Sequence, residues 1–403
     1  MHLLLITNLF PPQELGGYGR SMADFAWGLE RRGHQLTVLC SDAPYLPQPG
    51  CDVKLNALIE RSLQLKGDFK NGVHHLKDAE IRHKIDTKNH KILIYQLQRV
   101  NFDGVLLGNL DLLGPEILLP LKQTTMPVLH HIGYVTPPFG PGQHPKMNNY
   151  HLVAASHAVR EALIRHGEQT SNHIPVVYPG ARCDLFKKSR SRTLPAPLGL
   201  ELTSAQKLGD SACPLKICFA GLLMSTKGAH TIAEALVQLK AQKFNVELSI
   251  AGGEFQKDYC HAIRSFVRNN DLADKVYWYG QLSRPQLVKF FRLHHAAVFP
   301  SIIPEAFGIV AAEAMASGLV LISSGVGGAA EIFEDGKSGL RFKANNPDSL
   351  AKKLVEIINS KPEDMRELAQ NGQYRIEQKF SVSKSAAELE KLFYEFSNLS
   401  NKL

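Results

Sequence analysis

The stretch from Val298 to Gly318 places the strongest constraint on the fold of this chain. Val298 and Phe299 close a short apolar run that predicts a strand, and residues 300–307 form a loop with two prolines. From Gly308 the residues favour a helix, and Gly318 stands where a glycine commonly ends one. A strand followed by a loop and a helix N-terminus predicts an anion site at the start of the helix.

Two carboxylates stand in this stretch, Glu305 before the predicted helix and Glu313 within it. A diphosphate held by the backbone N–H groups of residues 307–309 would leave Glu313, roughly 7 Å further along the axis, within reach of a ribose. Glu305 would then face the other end of the ligand, which has the shape of a nucleotide-sugar. The competing interpretation is that Glu305 complements the helix dipole and Glu313 is a solvated helix residue.

The spacing of the two carboxylates resembles a known signature. Glu305 and Glu313 are eight residues apart, with Phe307-Gly308 between them and Ala314-Met315-Ala316 after the second. This pattern is similar to the E-x7-E motif of retaining GT-B glycosyltransferases of family 4. The resemblance implies two Rossmann-like domains facing a cleft, with a C-terminal helix that crosses back to the first domain.

The N-terminal residues are consistent with such a fold. Leu3 to Thr7 is a short apolar run, and residues 16–20 form a glycine-rich loop. Apolar residues then recur at helical spacing from Met22 to Leu29, before a second apolar run from Gln35 to Cys40. Strand, loop, helix and strand in this order predict the start of a doubly wound parallel sheet and an α/β fold class.

Composition changes divide the chain into predicted domains. The predicted N-terminal, acceptor-side domain spans residues 1–186, and residues 187–214 have the proline-, glycine- and serine-rich character of a linker. The predicted nucleotide-sugar-binding domain spans residues 215–380, and residues 381–403 are the helix expected to pack on the first domain. Residues 43–99, rich in lysine and histidine, predict a solvated, partly helical surface on the acceptor side.

The resemblance assigns roles to particular residues. It places the donor phosphates near Gly16, Gly17, Lys227 and the backbone of Phe307, Gly308 and Ile309. It places Glu313 on the ribose and Glu305 on the donor sugar, both as contacts within the second domain. It puts a histidine at the end of a first-domain strand near the transferred sugar, which is His131, with His130 as the alternative. The family usually has an arginine in the loop after the first strand of the second domain, where this chain has Leu222.

Charge and cysteine content narrow the function classes. The chain has 403 residues, a net charge of +8 and six cysteines without metal-binding spacing. The positive charge is scattered and no nucleic-acid-binding module accompanies it, so nucleic acid is not expected as a partner. No stretch is long and apolar enough to span a bilayer, which together with the cysteines predicts a cytoplasmic protein, with peripheral association at the inner face of the membrane left open.

The resemblance implies a retaining hexosyltransferase, which we expect to be metal-independent and without a cofactor. The donor would be a UDP- or GDP-sugar, and the acceptor a saccharide or a lipid-linked saccharide in polysaccharide or glycoconjugate biosynthesis. No D-x-D pair is present to hold a metal ion on the diphosphate. Two alternatives remain open at this point, namely a sugar-nucleotide epimerase with the GT-B fold and a non-catalytic GT-B binding subunit.

Overall fold

The fold comes from a computed structural model, which describes residues 1–46, 54–70, 72–136, 139, 145, 147–167, 174–187 and 208–400. The side chains of residues 18, 399 and 400 are not described. The chain divides into two compact units. The first unit comprises Met1–Pro179 and Val382–Leu403, and the second comprises Gly180–Ser381.

The first unit is an α/β sandwich built on a parallel sheet. Its strands are β1 His2–Ile6, β2 Gln35–Ser41, β3 Leu58–Leu63, β4 Gly67–Asp68, β5 His74–His75, β6 Gly104–Leu107, β7 Val128–Ile132 and β8 Tyr150–Ala154. Its helices are α1 Tyr18–Arg31, α2 Ala79–Arg99, a 3-10 helix Pro115–Gln123, α3 His157–Arg165 and, after the second unit, the C-terminal helix Val382–Ser400.

Six strands of the first unit pair in the order β3-β2-β1-β6-β7-β8, all parallel. The order reverses between β1 and β6, where Leu3 pairs with Gly104. Leu3 to Ile6 have no exposed side-chain surface, as expected for a parallel strand covered by helices on both faces. The short strands β4 and β5 form a separate antiparallel pair.

The second unit repeats this architecture. Its strands are β9 Leu215–Ala220, β10 Val246–Ala251, β11 Val276–Gly280, β12 Ala296–Phe299, β13 Val320–Ser323 and β14 Leu340–Arg341. Its helices are α4 Cys183–Phe186, a 3-10 turn Ser225–Lys227, α5 Ala229–Ala241, α6 Lys257–Asn269, α7 Arg284–Arg292, α8 Ile309–Ala316, α9 Ala329–Ile332, α10 Pro347–Asn359 and α11 Pro362–Lys379. The strand order is β11-β10-β9-β12-β13-β14, so the order reverses between β9 and β12.

The C-terminal helix, α12 (Val382–Ser400), completes the core of the first unit. Ala386 and Phe393 belong to the same buried cluster as residues of α1 and of the sheet. A Cβ on Gly28 of α1 would lie 2.7 Å from the Cβ of Ala386, so the two helices approach too closely for any larger residue at that position. The predicted return of the last helix to the first domain is therefore confirmed.

The unit boundaries differ from the predicted domain boundaries. Residues 180–186 lie in the second unit, because Phe186 of α4 packs against Phe291 of α7 with ring centroids 6.1 Å apart. Residues 188–207 of the predicted linker lie outside the described residues. Leu208 is buried in the core of the second unit, so the described end of that segment belongs to the unit and not to a linker.

Residues 43–99 contain more regular structure than the sequence predicted. Where they are described, they include the edge strand β3, the β4–β5 pair and the helix α2, most of whose side chains are exposed. Cys40, Cys183, Cys213, Cys218 and Cys260 are free thiols, whereas Cys51 lies outside the described residues. Among the helices that the structure describes, none has the length and apolar character needed to cross a membrane.

Candidate functional site

The candidate site lies at the carboxyl ends of β9 and β12. These are the two strands between which the order of the second sheet reverses, and ligands of open α/β sheets bind outside such a point. The loop of residues 221–228 follows β9, and the loop of residues 300–308 follows β12. The predicted donor-site residues of the second unit, Glu313 excepted, lie on these two loops and on the first turn of α8.

An ion pair joins the two loops. Lys227 Nζ donates to Glu305 Oε1 at 2.6 Å, and Ser301 Oγ donates to the same oxygen. Among the described residues, none donates a hydrogen bond to Glu305 Oε2. The Lys227 side chain is 30% exposed and that of Glu305 14%, so the pair is open to solvent on one side. The lysine ammonium can donate hydrogen bonds to an anionic group. The second carboxylate oxygen can accept a hydrogen bond from a hydroxyl group.

Glycine geometry explains how Lys227 reaches this position. The 3-10 turn that carries Lys227 ends at Gly228, whose φ is +71°. A Cβ on Gly228 would lie only 2.1 Å from the carbonyl oxygen of Pro300, so the two loops touch through their backbones. Ile302 also donates its N–H to the carbonyl of Thr226 at 2.8 Å.

A second glycine turn fixes the backbone of Glu305. The N–H of Glu305 donates to the carbonyl of Val326 at 3.2 Å, and its own carbonyl accepts from Gly328 at 2.7 Å. Gly327 has a φ of +63°, and a Cβ there would lie 2.5 Å from the carbonyl oxygen of Glu305. The turn after β13 therefore sets the direction from which the Glu305 side chain approaches Lys227.

The first turn of α8 offers backbone donors. The helix begins at Ile309, with Gly308 as its N-cap at a φ of +105° and no side-chain cap. The N–H groups without intrahelical partners are those of the N-cap and the first helical residues, beginning at Gly308 rather than at Phe307 as the sequence predicted. Gly308, Ile309 and Val310 are partly exposed, whereas the Phe307 side chain is buried and lies near Phe380.

Glu313 lies within α8 and is buried. Its side chain is 1% exposed and Oε1 lies 3.3 Å from Nε of Arg284, which is equally buried. It is therefore neither a solvated helix residue nor an exposed carboxylate beside the helix start. Its contact with a ribose stays a prediction.

Gly16 and Gly17 lie in the first unit, at the start of α1. Gly16 has a φ of +69°, and Gly17 is the N-cap of α1 without a side-chain cap. Beside them, the buried Glu14 accepts from Arg20 at 2.9 Å. The structure thus places these glycines at a second helix N-terminus, next to the strand-order reversal of the first sheet.

The two histidines of β7 are buried in the first unit. His131 has no exposed surface, its Nε2 donates to the carbonyl of Val177 at 2.8 Å, and its ring packs edge-on against Phe25. Burial lowers the pKa of His131 to about 4 and that of His130 to about 3, so both rings are neutral at pH 7. Both rings are buried in this structure, and the role of His131 near a transferred sugar stays a prediction.

Sequence reasoning missed three contributors to the site. Ser301 shares the Glu305 oxygen with Lys227, the turn at Gly327 fixes the Glu305 backbone, and Arg284 pairs with Glu313. Each acts through a contact that appears only in the folded chain. A serine four residues before Glu305 and a glycine pair after β13 were visible signals, but neither indicates its partner. Among the described residues, no cluster of three or more histidine, cysteine or carboxylate side chains is arranged to hold a metal ion.

The second unit matches a known family. A model described as glycosyl transferases group 1 matches residues 203–375, which include both loops and α8. An uncharacterized glycosyltransferase of Methanocaldococcus jannaschii is 34% identical over 181 residues, covering 45% of this chain and 48% of that protein. The chain spans about half the length of the curated relatives it matches.

Solved structures match both units. A glycosyltransferase from Rickettsia africae superposes with a TM-score of 0.75 at 19% identity, covering 98% of each chain. The Anabaena protein HepE, solved in complex with UDP and glucose, superposes with a TM-score of 0.68 at 18% identity, covering 97% of this chain and 99% of that one. The chain therefore has the GT-B fold, and its second unit carries the match to glycosyl transferases group 1.

Proposed function

We propose that this chain is a glycosyltransferase that moves a hexose from a nucleotide-diphosphate sugar to an acceptor. The observation that carries the proposal is the pair of Lys227 and Glu305 beside the open first turn of α8. It lies at the strand-order reversal of the unit that matches glycosyl transferases group 1. A cation, a carboxylate and unpaired backbone N–H groups are the components that a diphosphate joined to a sugar requires.

Lys227 and the N-terminus of α8 are the proposed binding groups for the diphosphate. Helix N-termini and lysine side chains both favour phosphate, and their positive charge would stabilise the nucleotide as it leaves. The structure of HepE in complex with UDP and glucose supports a nucleotide-sugar as the donor class. The base, UDP or GDP, and the absence of a metal ion from the reaction stay predictions.

Glu305 is the proposed contact for the donor sugar. Its Oε1 is occupied by Lys227 and Ser301, while Oε2 can accept from a sugar hydroxyl. Because a diphosphate would compete for Lys227, donor binding and the orientation of Glu305 are coupled. Retention of the anomeric configuration, with attack of the acceptor on the same face from which the nucleotide leaves, belongs to the proposal and follows from the E-x7-E resemblance.

The first unit has a proposed role at Gly16 and Gly17, where α1 begins without a side-chain cap. The backbone N–H groups at the start of α1 are the proposed contacts for an anionic or hydroxyl-bearing ligand of that unit. The geometry supports a sugar contact through His131 less well, because Nε2 is committed to Val177 and the ring is buried. That role would require the ring to become accessible when substrates bind.

The proposed acceptor is a saccharide or a lipid-linked saccharide. The exposed helix α2 carries Lys84, Lys88 and Lys91 together with the exposed Ile94 and Tyr95. A surface of this kind is compatible with an acceptor held at an anionic membrane surface and with a cytoplasmic protein that associates with its inner face. Polysaccharide or glycoconjugate biosynthesis is the process in which such a reaction belongs.

A non-catalytic binding subunit is the second candidate, and one observation favours it. Leu222 stands in the loop after β9 at the position where family members usually have an arginine, so one expected charge on the diphosphate is absent. A nucleotide-sugar epimerase would share the nucleotide site but would need no acceptor. The contact between Lys227 and Glu305 favours the transferase over the binding subunit, and dependence of the reaction on an acceptor would separate the transferase from an epimerase.

The test is a screen of UDP-, GDP- and ADP-sugars by thermal shift, followed by nucleotide release with and without saccharide acceptors. Ligands that bind only the folded protein raise its melting temperature by mass action. We expect one nucleotide class to raise the melting temperature. We also expect that nucleotide to be released only when an acceptor is present. Binding without release or epimerisation would identify a binding subunit, epimerised donor without acceptor would identify an epimerase, and no binding of any nucleotide-sugar would overturn the proposal.

A further inference from the structure

A buried ion pair lies behind the proposed diphosphate site. Arg284 Nε and Glu313 Oε1 are 3.3 Å apart, and each side chain is 1% exposed. Removing two charged groups from water is costly, and a well-packed apolar pair of similar volume often stabilises a fold at least as well. Stabilisation of the fold therefore does not by itself explain the pair, and the elements that it holds in place suggest another role.

Glu313 connects this pair to the first turn of α8. It lies one turn beyond Ile309, the first residue of α8, and is flanked by the buried Ala312 and Ala314. The helix is only eight residues long and its N-cap, Gly308, makes no side-chain cap. A contact that fixes the second turn of so short a helix also fixes the direction of the N–H groups at its first turn.

Arg284 stands at a position that its own helix does not favour. It is the first residue of α7, following the N-cap Ser283, whose side chain forms a capping box with Gln286. The positive end of a helix dipole disfavours a cation there. The capping box and Pro285 restrict the backbone at the start of α7. The Arg284 side chain therefore extends to Glu313 from a restrained backbone position.

We propose that Arg284 is a positioning residue of the donor site, acting through Glu313 to hold the first turn of α8 in the orientation that binds a diphosphate. The inference rests on the proposed function, since it assumes that the N-terminus of α8 meets the donor. Arg284 itself need not touch the ligand. Its contribution is the fixed direction of α8 relative to Lys227.

The test measures the affinity of UDP for the full chain and its variants, at a temperature at which each remains folded by circular dichroism. We expect Arg284→Met to weaken UDP binding at least tenfold and Arg284→Lys, which keeps a cation near Glu313, to recover most of that loss. Arg264→Met removes an arginine that pairs with Glu254 on the surface of the same unit, and it should bind UDP as the unaltered protein does. A lower melting temperature alone would not distinguish a positioning role, so affinity is the deciding quantity.

The outcomes separate this inference from the function on which it rests. If the unaltered protein binds neither UDP nor any other nucleotide, the proposed function fails. If it binds UDP and the folded Arg284→Met variant binds equally well, Arg284 is only structural and the inference is overturned. If Arg284→Lys binds as weakly as Arg284→Met, the cation does not act through Glu313 and the inference is again overturned. Should Arg284→Met fail to fold, Arg284→Lys against Arg284→Gln makes the same comparison.

Discussion

Lys227 and Glu305 neutralise one another in this structure. Their contact of 2.6 Å is shared with Ser301, so Glu305 has two donors on a single oxygen. A bound diphosphate would carry more negative charge than the single carboxylate of Glu305, so it would compete with Glu305 for Lys227. Glu305 would then be released to turn towards a sugar hydroxyl.

Replacing the carboxylate of Glu305 should separate binding from turnover. In Glu305→Gln the side chain keeps its size and its contact with Ser301, but it loses the charge that the donor sugar would meet. We expect nucleotide binding to be kept or strengthened, because Lys227 loses its charged competitor, and turnover to fall roughly a hundredfold or more. Nucleotide release in the presence of an acceptor measures turnover, and titration with UDP measures nucleotide affinity.

The control is Glu356→Gln, which alters a carboxylate that pairs with Lys353 at 2.7 Å on the surface of α10. Turnover of Glu305→Gln equal to that of the control would contradict the role given to Glu305.

Loss of the Lys227 charge should weaken donor binding directly. Hydrogen bonds to charged groups are worth about 1.5–3 kcal/mol, which corresponds to a loss of roughly ten- to a hundredfold in nucleotide affinity for Lys227→Met. Lys353→Met is a close control, because Lys353 is 29% exposed and Lys227 is 30% exposed, and each pairs with one glutamate. Isothermal titration calorimetry of both variants with the nucleotide measures the two affinities to be compared. Equal affinities would show that Lys227 does not meet the diphosphate.

At the scale of residues, the sequence predicted the two loops that carry Lys227 and Glu305 but not the contacts that hold these loops in place. Glu305, Gly308 and Lys227 were recognisable because strand ends and helix starts can be identified locally. Ser301, Gly327 and Arg284 act through contacts made only after the chain folds, so no local pattern reveals them. The burial of His131 was missed because the covering of a strand end depends on tertiary packing.

Among the elements, the loops after β9 and β12 are in direct backbone contact. Gly228 permits it, since a side chain there would overlap the Pro300 carbonyl. The loop that carries Lys227 and the loop that carries Glu305 therefore hold each other in register. The ion pair between them depends on this contact as much as on its own charges.

Gly228→Ala should therefore destabilise the protein beyond the cost of its backbone conformation. Gly336 has almost the same φ, +72° against +71°, but a Cβ there meets nothing within 4 Å. We expect Gly336→Ala to lower the free energy of unfolding by about 1–2 kcal/mol and Gly228→Ala by about 3 kcal/mol or more. Urea denaturation of both variants gives the difference. Similar losses for the two would show that the loops can separate without cost.

The elements themselves were predictable where the apolar pattern is strong. Short apolar runs predicted the first strands, and α8 begins within one residue of its predicted start. Between residues 54 and 99 the pattern fails, because α2 exposes most of its side chains and the edge strand β3 is only partly buried. An element that buries little leaves little periodicity in the sequence.

For the whole molecule, buried neutral histidines predict loss of stability in acid. Burial lowers the pKa of His130 to about 3 and those of His131, His294 and His295 to about 4, from an ordinary value of 6.5. The unfolded chain therefore binds more protons than the folded one between these values. Their contribution is complete above pH 6.5 and is lost as the pH falls towards 4, by up to about 1.4 kcal/mol per pH unit for each ring.

Denaturation in urea at a series of pH values measures this effect. We expect the midpoint to be nearly constant from pH 8 to about 7 and to fall steadily from about 6.5 towards 4. His295 shows one physical cause of this loss. Its Nδ1 accepts a hydrogen bond from the N–H of Lys216 at 3.0 Å, and protonation of Nδ1 would break that bond. A midpoint that stays constant down to pH 4 would show that these rings remain accessible to protons in the folded protein.

The division of the chain has a consequence for its synthesis. The second unit is one continuous segment, whereas the first unit is closed only by α12, whose Phe393 and Ala386 enter the core beside α1. A ribosome releases α12 after both sheets have emerged, so the first sheet must wait with an uncovered apolar face until the second unit has been made. We expect the second unit to become protease-resistant first during translation, and the face of α1 that contains Gly28 to be covered last.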